Sequence, residues 1–221
     1  MDGKPIVIHQ IFLDVGLKPL SERPEWLENI KENKRLNPNC EHILWDDEKV
    51  ELLISELDEV SKEMIKSFEN KFYLIDFIRY HILLKYGGIY IDCDVCCKKS
   101  IENIDYICGS IVNKYNKDNT EWINNNVIKF NTKKEYEDLL NFCISEYKRI
   151  KDNNLYALWG GRRFLNSMGA SMFKRFCIKN KIKSDIIFKD YFWDEQGNSW
   201  IPICCKKEYE PNKIRYGSKK Y

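Results

Sequence analysis

The sequence is short of several things, and each shortage narrows its function. It has no Asn-x-Ser/Thr acceptor, so no N-glycosylation site marks it as a chain that meets glycosylation machinery. It has no excess of one charge: 36 Lys and Arg face 34 Asp and Glu, a formal balance of +2. A protein held to nucleic acid mainly through phosphates carries a larger, clustered excess, so no nucleic-acid partner is expected. Long uncharged runs are missing too. The most apolar window, Phe72 to Ile91, contains Asp76, Arg79, His81 and Lys85, which a lipid-spanning helix would have to bury. The opening Met1–Pro5 has no basic stretch, and His9 and Gln10 interrupt the apolar Ile6–Leu13, so neither a signal peptide nor a membrane span is expected. Glycine and proline are sparse, at 10 and 6 residues, and no low-complexity tract or repeat breaks the chain. A single domain over 1–221 follows.

Nine cysteines is an odd count and too few for a disulfide scaffold. Cys93, Cys96 and Cys97 cluster, as do Cys204 and Cys205, but without the paired CxxC spacing of a structural zinc site. Reduced, partly buried thiols in a cytoplasmic protein, bacterial or viral by its Lys-, Asn- and Ile-rich composition, are the expectation; a zinc scaffold is the rival.

The hydrophobic pattern alternates in kind. Ile6–Phe12 and Cys40–Trp45 read as buried strands, and Ser21–Asn33 as a helix with Pro24 in its first turn and Trp26, Leu27 and Ile30 on its apolar side. Helices are expected over Asp47–Leu57, Val60–Phe68, Lys134–Ile150 and Arg162–Asn180, with a polar loop at Lys114–Thr120 and a late strand at Ser199–Cys205. Tyr73–Tyr86 is apolar on nearly every face and belongs in an interior. Gly87-Gly88 stops it, the strand Ile89–Ile91 follows, and Asp92-Cys93-Asp94 ends that strand. Such alternation predicts an α/β fold with a largely parallel central sheet. Ligands collect at the carboxyl ends of strands in sheets of this kind, where Asp92, Asp94 and the segment after His9 fall.

Carboxylates one residue apart point to opposite sides of a strand, but both can face one pocket if the chain turns at Cys93. Paired oxygens suit Mn²⁺ or Mg²⁺, with phosphate and water supplying the remaining ligands. Asp76 and Arg79, at i and i+3, share a helix face and are either a shielded ion pair or part of a ligand site. His9 and His42 read more simply as satisfied core residues, and His81 as structural.

Ile8–Phe12, Asn37-Pro38, His42–Asp47 and above all Asp76–Asp94 (DFIRYHILLKYGGIYIDCD) resemble the DXD sugar-transferase family, glycosyltransferase family 32. Yeast initiating mannosyltransferases and bacterial capsule enzymes belong to it, and clostridial glucosylating toxins are more distant. The resemblance spans Ile6 to about Val95 and implies a GT-A, Rossmann-like sandwich. It implies a metal-dependent transferase moving a sugar from a nucleotide-sugar donor, a UDP-sugar first and GDP-mannose second, to a glycan or other hydroxyl acceptor, with retention. Carried over by position, Asp94 binds the metal, and Asp92 contacts ribose and donor sugar or the metal through water. Asp76 and Arg79, with Tyr80, hold the donor sugar, and Cys93 lies between the two acids. His9, Gln10, Ile11 and Phe12 receive the base. Asn125 (with Asn124) and Trp159-Gly160-Gly161 match segments facing acceptor and donor.

One departure stands out: relatives carry a late histidine on the metal, whereas this chain has none beyond His81 and shows Tyr216-Gly217-Ser218 in that region. Weaker metal binding is the expectation. Were the reaction inverting, Asp194 or Glu195 would be the nominated base. The rival functions are a non-catalytic nucleotide-sugar-binding module of the same fold and a two-carboxylate glycoside hydrolase. A DxD spacing suits the hydrolase poorly, since its two acids stand about 5 Å or more apart on different strands.

Overall fold

The computed structural model describes residues 5–16, 19–68, 71–112, 121–153, 167–183 and 185. The late strand expected at Ser199–Cys205 lies outside them. Five strands form one sheet: β1 (Val7–Ile11), β2 (Glu41–Trp45), β3 (Ile89–Ile91), β4 (Ile107–Val112) and β5 (Glu121–Lys129), in the order β2-β1-β3-β5-β4. The centre is parallel, with β1 between β2 and β3. β5 then pairs antiparallel with both β3 and β4. The α/β class expected from the sequence is therefore present, extended by a hairpin that the sequence reading had passed over.

That hairpin carries a deep irregularity. Cys108 faces Ile128 and the next residue, Gly109, faces Asn124, so β5 holds three extra residues, Asn125 to Val127, at that point. Across the other edge of the same segment, the Asn126 carbonyl accepts from the Asp92 amide at 2.8 Å. A bulge of this sort bends a strand and re-aims its side chains. Here it does so beside the end of β3.

Six α-helices accompany the sheet among the described residues: α1 (Pro24–Leu36), α2 (Asp47–Ser55), α3 (Glu59–Lys66), α4 (Lys71–Tyr86), α5 (Lys133–Asp152) and α6 (Ala170–Lys179). Their starts are written locally. Pro24 occupies the first turn of α1, and the Asp46 and Asp58 side chains cap α2 and α3 by accepting from Lys49 N and Ser61 N. Thr132 and Glu135 form a reciprocal capping box on α5. None of the described helices is long and apolar enough to cross a membrane.

Apolar residues fill both faces of the sheet. Tyr90, Ile128 and Ile11 pack with Phe77, Tyr80, Leu139, Phe173 and other residues of α4, α5 and α6. Ile8, Ile89, Ile91 and Val127 pack on the opposite face with Val95, Ile101 and Leu36. The buried residues of α1 are Asn29 and Asn33, whereas Leu27 is exposed, which corrects the assignment of its inner face to Trp26, Leu27 and Ile30.

Gly87 and Gly88 both take positive φ, 65° and 84°, and turn α4 into β3. At Gly88 a Cβ would stand 2.2 Å from the Val7 carbonyl oxygen, which is rigid strand backbone; at Gly87 it would meet nothing within 4 Å. Gly87→Ala should therefore cost only the left-handed strain, about 1–2 kcal/mol. Gly88→Ala should cost at least about 3 kcal/mol, because β1 and β3 must also separate. Urea denaturation of the two variants measures the difference.

Candidate active site

The end of β3 is built around Arg79. This side chain is buried on α4, and its Nη2 lies 2.8 Å from Asp76 Oδ1 while its Nη1 lies 3.2 Å from Asp92 Oδ1. Nη1 also donates to the Asn125 carbonyl at 2.7 Å, and the guanidinium stacks 4.5 Å from the centre of the Tyr90 ring. The Tyr90 hydroxyl donates to Asp92 Oδ1 at 2.5 Å. Asn125 Nδ2 donates to Asp76 Oδ1 at 2.8 Å and to the Tyr80 hydroxyl at 3.0 Å. One helical acid, a strand end and the bulged strand thus converge on the Arg79 guanidinium.

Beyond Asp92 the chain turns: the Val95 amide donates to the Asp92 carbonyl at 3.0 Å, which leaves Cys93 and Asp94 in the middle of the turn. Asp92 and Asp94 are both half-buried. Burial raises the Asp76 carboxyl pKa, opposed by Arg79 and the Asn125 amide. It raises that of Asp92 as well, opposed by Arg79 and Tyr90. Asp94 is pushed up to about 8, by burial first and the neighbouring Asp92 charge second. A desolvated acid beside a second acid is a pair short of positive charge, which is the donor chemistry that hard divalent cations take.

The remaining expected residues separate into those at this turn and those away from it. Cys93 Sγ donates to the Ile11 carbonyl at 3.3 Å, tying the turn to the end of β1. Phe12 follows, edge-on to Trp26 of α1 with ring centres 5.8 Å apart, and the Arg23 guanidinium lies 4.3 Å over Trp26. Tyr80 is fully buried, and its hydroxyl receives Asn125 and donates to the Met168 carbonyl at 2.8 Å, so it braces the network from behind. Gln10 is buried on β1, with no partner for its Nε2 among the described residues. Gly160 and Gly161 lie outside the described residues, as do Trp159, Asp194, Glu195, Tyr216, Gly217 and Ser218.

His9 does not face the turn. Its Nδ1 accepts from Trp45 Nε1 at 3.2 Å, which leaves Nε2 to donate to the Gly87 carbonyl at 3.0 Å. The imidazole holds the glycine turn, the core role rather than the base-binding one. Burial lowers its pKa from 6.5 to about 4, against the pull of the Gly87 carbonyl. The unfolded chain takes that proton first on acidification, so the stability due to neutral His9 is complete above pH 6.5 and is lost as pH falls towards 4. Between those limits His9 should withdraw about 2–3 kcal/mol, and His9→Asn should flatten the decline in a urea series by that amount.

Two features of the site went unread. Tyr90 sits two residues before Asp92 and so shares its strand face, a period-two signal available in the sequence. The second is a polar stripe on α1. Asn29 Nδ2 donates to the Cys93 carbonyl at 3.1 Å, and Asn33 Nδ2 to the Val95 carbonyl at 2.9 Å. Asn33 Oδ1 accepts from the Cys97 amide at 2.7 Å, and Asn37 Oδ1 from the Ile101 amide at 2.8 Å. The three asparagines are spaced by four residues, the period of one helix face.

No disulfide joins the described cysteines, and burial raises the Cys93, Cys97 and Cys143 thiols, which keeps them inert. Among the described residues, no group of three or more His, Cys, Asp or Glu side chains could hold a metal ion. Cys204 and Cys205 of the rival zinc reading lie outside that set.

The acid turn thus lies at the rim of an α/β sheet, braced by an acid–arginine pair from the preceding helix. Residues 23–110 match the family described as "Glycosyltransferase sugar-binding region containing DXD motif", and the resemblance carried by Asp76–Asp94 is borne out. The chain is 32% identical over 106 residues to "Inositol phosphoceramide mannosyltransferase 1" of Schizosaccharomyces pombe, covering 46% of this chain and 31% of that protein. It is 35% identical over 102 residues to "Mannosyl phosphorylinositol ceramide synthase SUR1" of Saccharomyces cerevisiae, covering 44% and 24%. The matched stretch is thus about a quarter to a third of these curated relatives. The solved structure "PaToxG Glycosyltransferase" superposes with a TM-score of 0.53 at 15% identity, over 80% of this chain and 69% of that one, a likeness of fold.

Proposed function

We propose that the chain is a metal-dependent glycosyltransferase that moves a hexose from a nucleotide-sugar donor to a hydroxyl acceptor, with retention. The observation that carries the reading is the Asp92–Val95 turn, which sets two acids at the sheet rim against Arg79. Asp94, with Asp92, would hold Mn²⁺ or Mg²⁺, with diphosphate oxygens and water as further ligands. When bound, such a cation supplies Lewis-acid stabilisation of the departing diphosphate.

The protein's own groups do the orienting. Asp76 and Arg79 are fixed by Asn125, Tyr80 and Tyr90, so a donor sugar docking on them meets groups whose rotamers are already set. The Phe12–Trp26–Arg23 cluster beside the end of β1 would receive the nucleotide base. The relatives' names favour a mannosyl donor, GDP-mannose, over the uridine donors first suggested by the toxin and capsule resemblance. The buried Cys93, Cys97 and Cys143 thiols, outside any disulfide, support a reducing compartment.

A screen of nucleotide sugars with Mn²⁺ tests the proposal by following release of the nucleoside diphosphate. Turnover of one donor, abolished by chelator, is expected. Turnover that persists in excess chelator would sink the metal-dependent reading, and binding without turnover of any donor would leave the non-catalytic module in its place.

A further inference from the structure

Asn29 and Asn33 of α1, with Asn37 at its C-terminal cap, do more than fill a polar helix face. Four residues of helix rise about 6 Å, close to the span of two residues of chain, so amides four apart on α1 can reach alternate peptide groups of a neighbouring loop. That is the pairing of Asn29 on Cys93 and Asn33 on Val95; Asn33 also takes Cys97, and Asn37, at the C-terminal cap, takes Ile101 farther along the loop. Asn29, Asn33 and Asn37 are all fully buried. Asn37 Nδ2 in turn donates to the Asn33 carbonyl at 2.8 Å, linking the lower two steps.

The stripe is graded with respect to chemistry. Asn29 grips the carbonyl of Cys93, between the two acids of the turn, while Asn37 grips the loop seven residues beyond Asp94. The other ties on the turn come from elsewhere: the Asn126 carbonyl takes the Asp92 amide, and the Ile11 carbonyl takes Cys93 Sγ. Among the described residues, Asn29 is the side chain that holds the peptide joining Cys93 to Asp94. A rotation of that peptide swings the Asp94 side chain, so the Asn29 amide fixes where the carboxylate points.

We infer that Asn29 is a positioning residue for the cation site, acting through the Cys93 carbonyl on the orientation of Asp94, and that Asn37, on the same helix face, serves the fold alone. The inference rests on the proposed metal-dependent reading. Groups that orient a metal ligand without touching the metal alter its affinity by about 10–100-fold when removed.

The test is titration of the full chain with manganese alone, followed by electron paramagnetic resonance, with thermal melting in parallel. Asn29→Ala should raise the manganese dissociation constant about tenfold or more. Asn29→Ser, whose hydroxyl is too short to reach the Cys93 carbonyl but keeps the slot polar, should do the same should the alanine variant fold poorly. Asn37→Ala should lower the melting temperature while leaving manganese affinity within about twofold. Wild-type affinity in a folded Asn29→Ser variant would overturn the inference, as would an equal loss in Asn37→Ala. A wild-type chain that binds no manganese would overturn the metal-dependent reading along with it, whereas binding by the wild type and by the Asn29 variants alike would overturn this inference alone.

Discussion

Asp94→Ala should lower metal-dependent donor turnover by about 10²–10³-fold, with a melting temperature that holds or rises. The first half follows from the contribution of a Lewis acid to a departing diphosphate, several kcal/mol at about 1.4 kcal/mol per tenfold. The second half follows from the site's electrostatics. Asp94 is half-buried, has Asp92 beside it, and carries a carboxyl pushed up to about 8, so its ionised form works against the folded state near neutral pH. Removing it relieves that repulsion and leaves the main ties on the turn in place, since those run through the backbone of residues 92, 93 and 95. Loss of activity with retained stability marks a group kept for chemistry. Normal turnover by the variant would remove Asp94 from the site, and a fall in melting temperature would show that its role is structural. Donor turnover and thermal melting on one preparation separate the three cases.

The contrast between what was readable and what was not has a physical basis. α4, the glycine pair and β3 were legible because each uses a strong local signal: apolar residues all round a helix, two residues free to take positive φ, and a short β-branched strand. The β4–β5 hairpin was missed because β5 reads Glu-Trp-Ile-Asn-Asn-Asn-Val-Ile-Lys. Asparagine is poor in strands, and the bulge at Asn125–Val127 breaks the alternation that would have announced it. The inner face of α1 was misassigned for a related reason. Its buried side chains are amides that meet a loop backbone, so the hydrophobic period pointed at residues of the flank instead. In both places polar side chains are buried against partners that the tertiary fold brings there, a loop backbone for α1 and the Asp76 and Tyr80 side chains for Asn125, and pattern alone does not show those partners. The Asp76–Arg79 pair is legible from its spacing, whereas its contacts with Asp92, Tyr90 and Asn125 arise only in the tertiary fold.

Arg79→Ala should be the most destabilising change at the site, by about 3–5 kcal/mol at pH 7, because it strands two acids that one guanidinium now serves. Asp76 gives the effect a diagnostic sign. Its carboxyl is already raised by burial with Arg79 opposing, so loss of the arginine raises it further. A carboxyl whose folded pKa exceeds its unfolded one gives stability that is complete below the unfolded value and is lost as pH rises through the folded one. The deficit of Arg79→Ala against wild type should accordingly shrink as urea titrations move from pH 7 to pH 5. The double variant Asp76→Asn with Arg79→Met should recover part of the loss, since a neutral amide can still accept from Asn125 and no longer needs a cation. Donor affinity should not recover with it, because the guanidinium that would orient the sugar is still absent. A deficit that stayed constant with pH would mean that Asp76 is already neutral in the native protein and that Asp92 alone keeps Arg79 in place. Full recovery of donor binding in the double variant would confine the pair to holding α4 against β3.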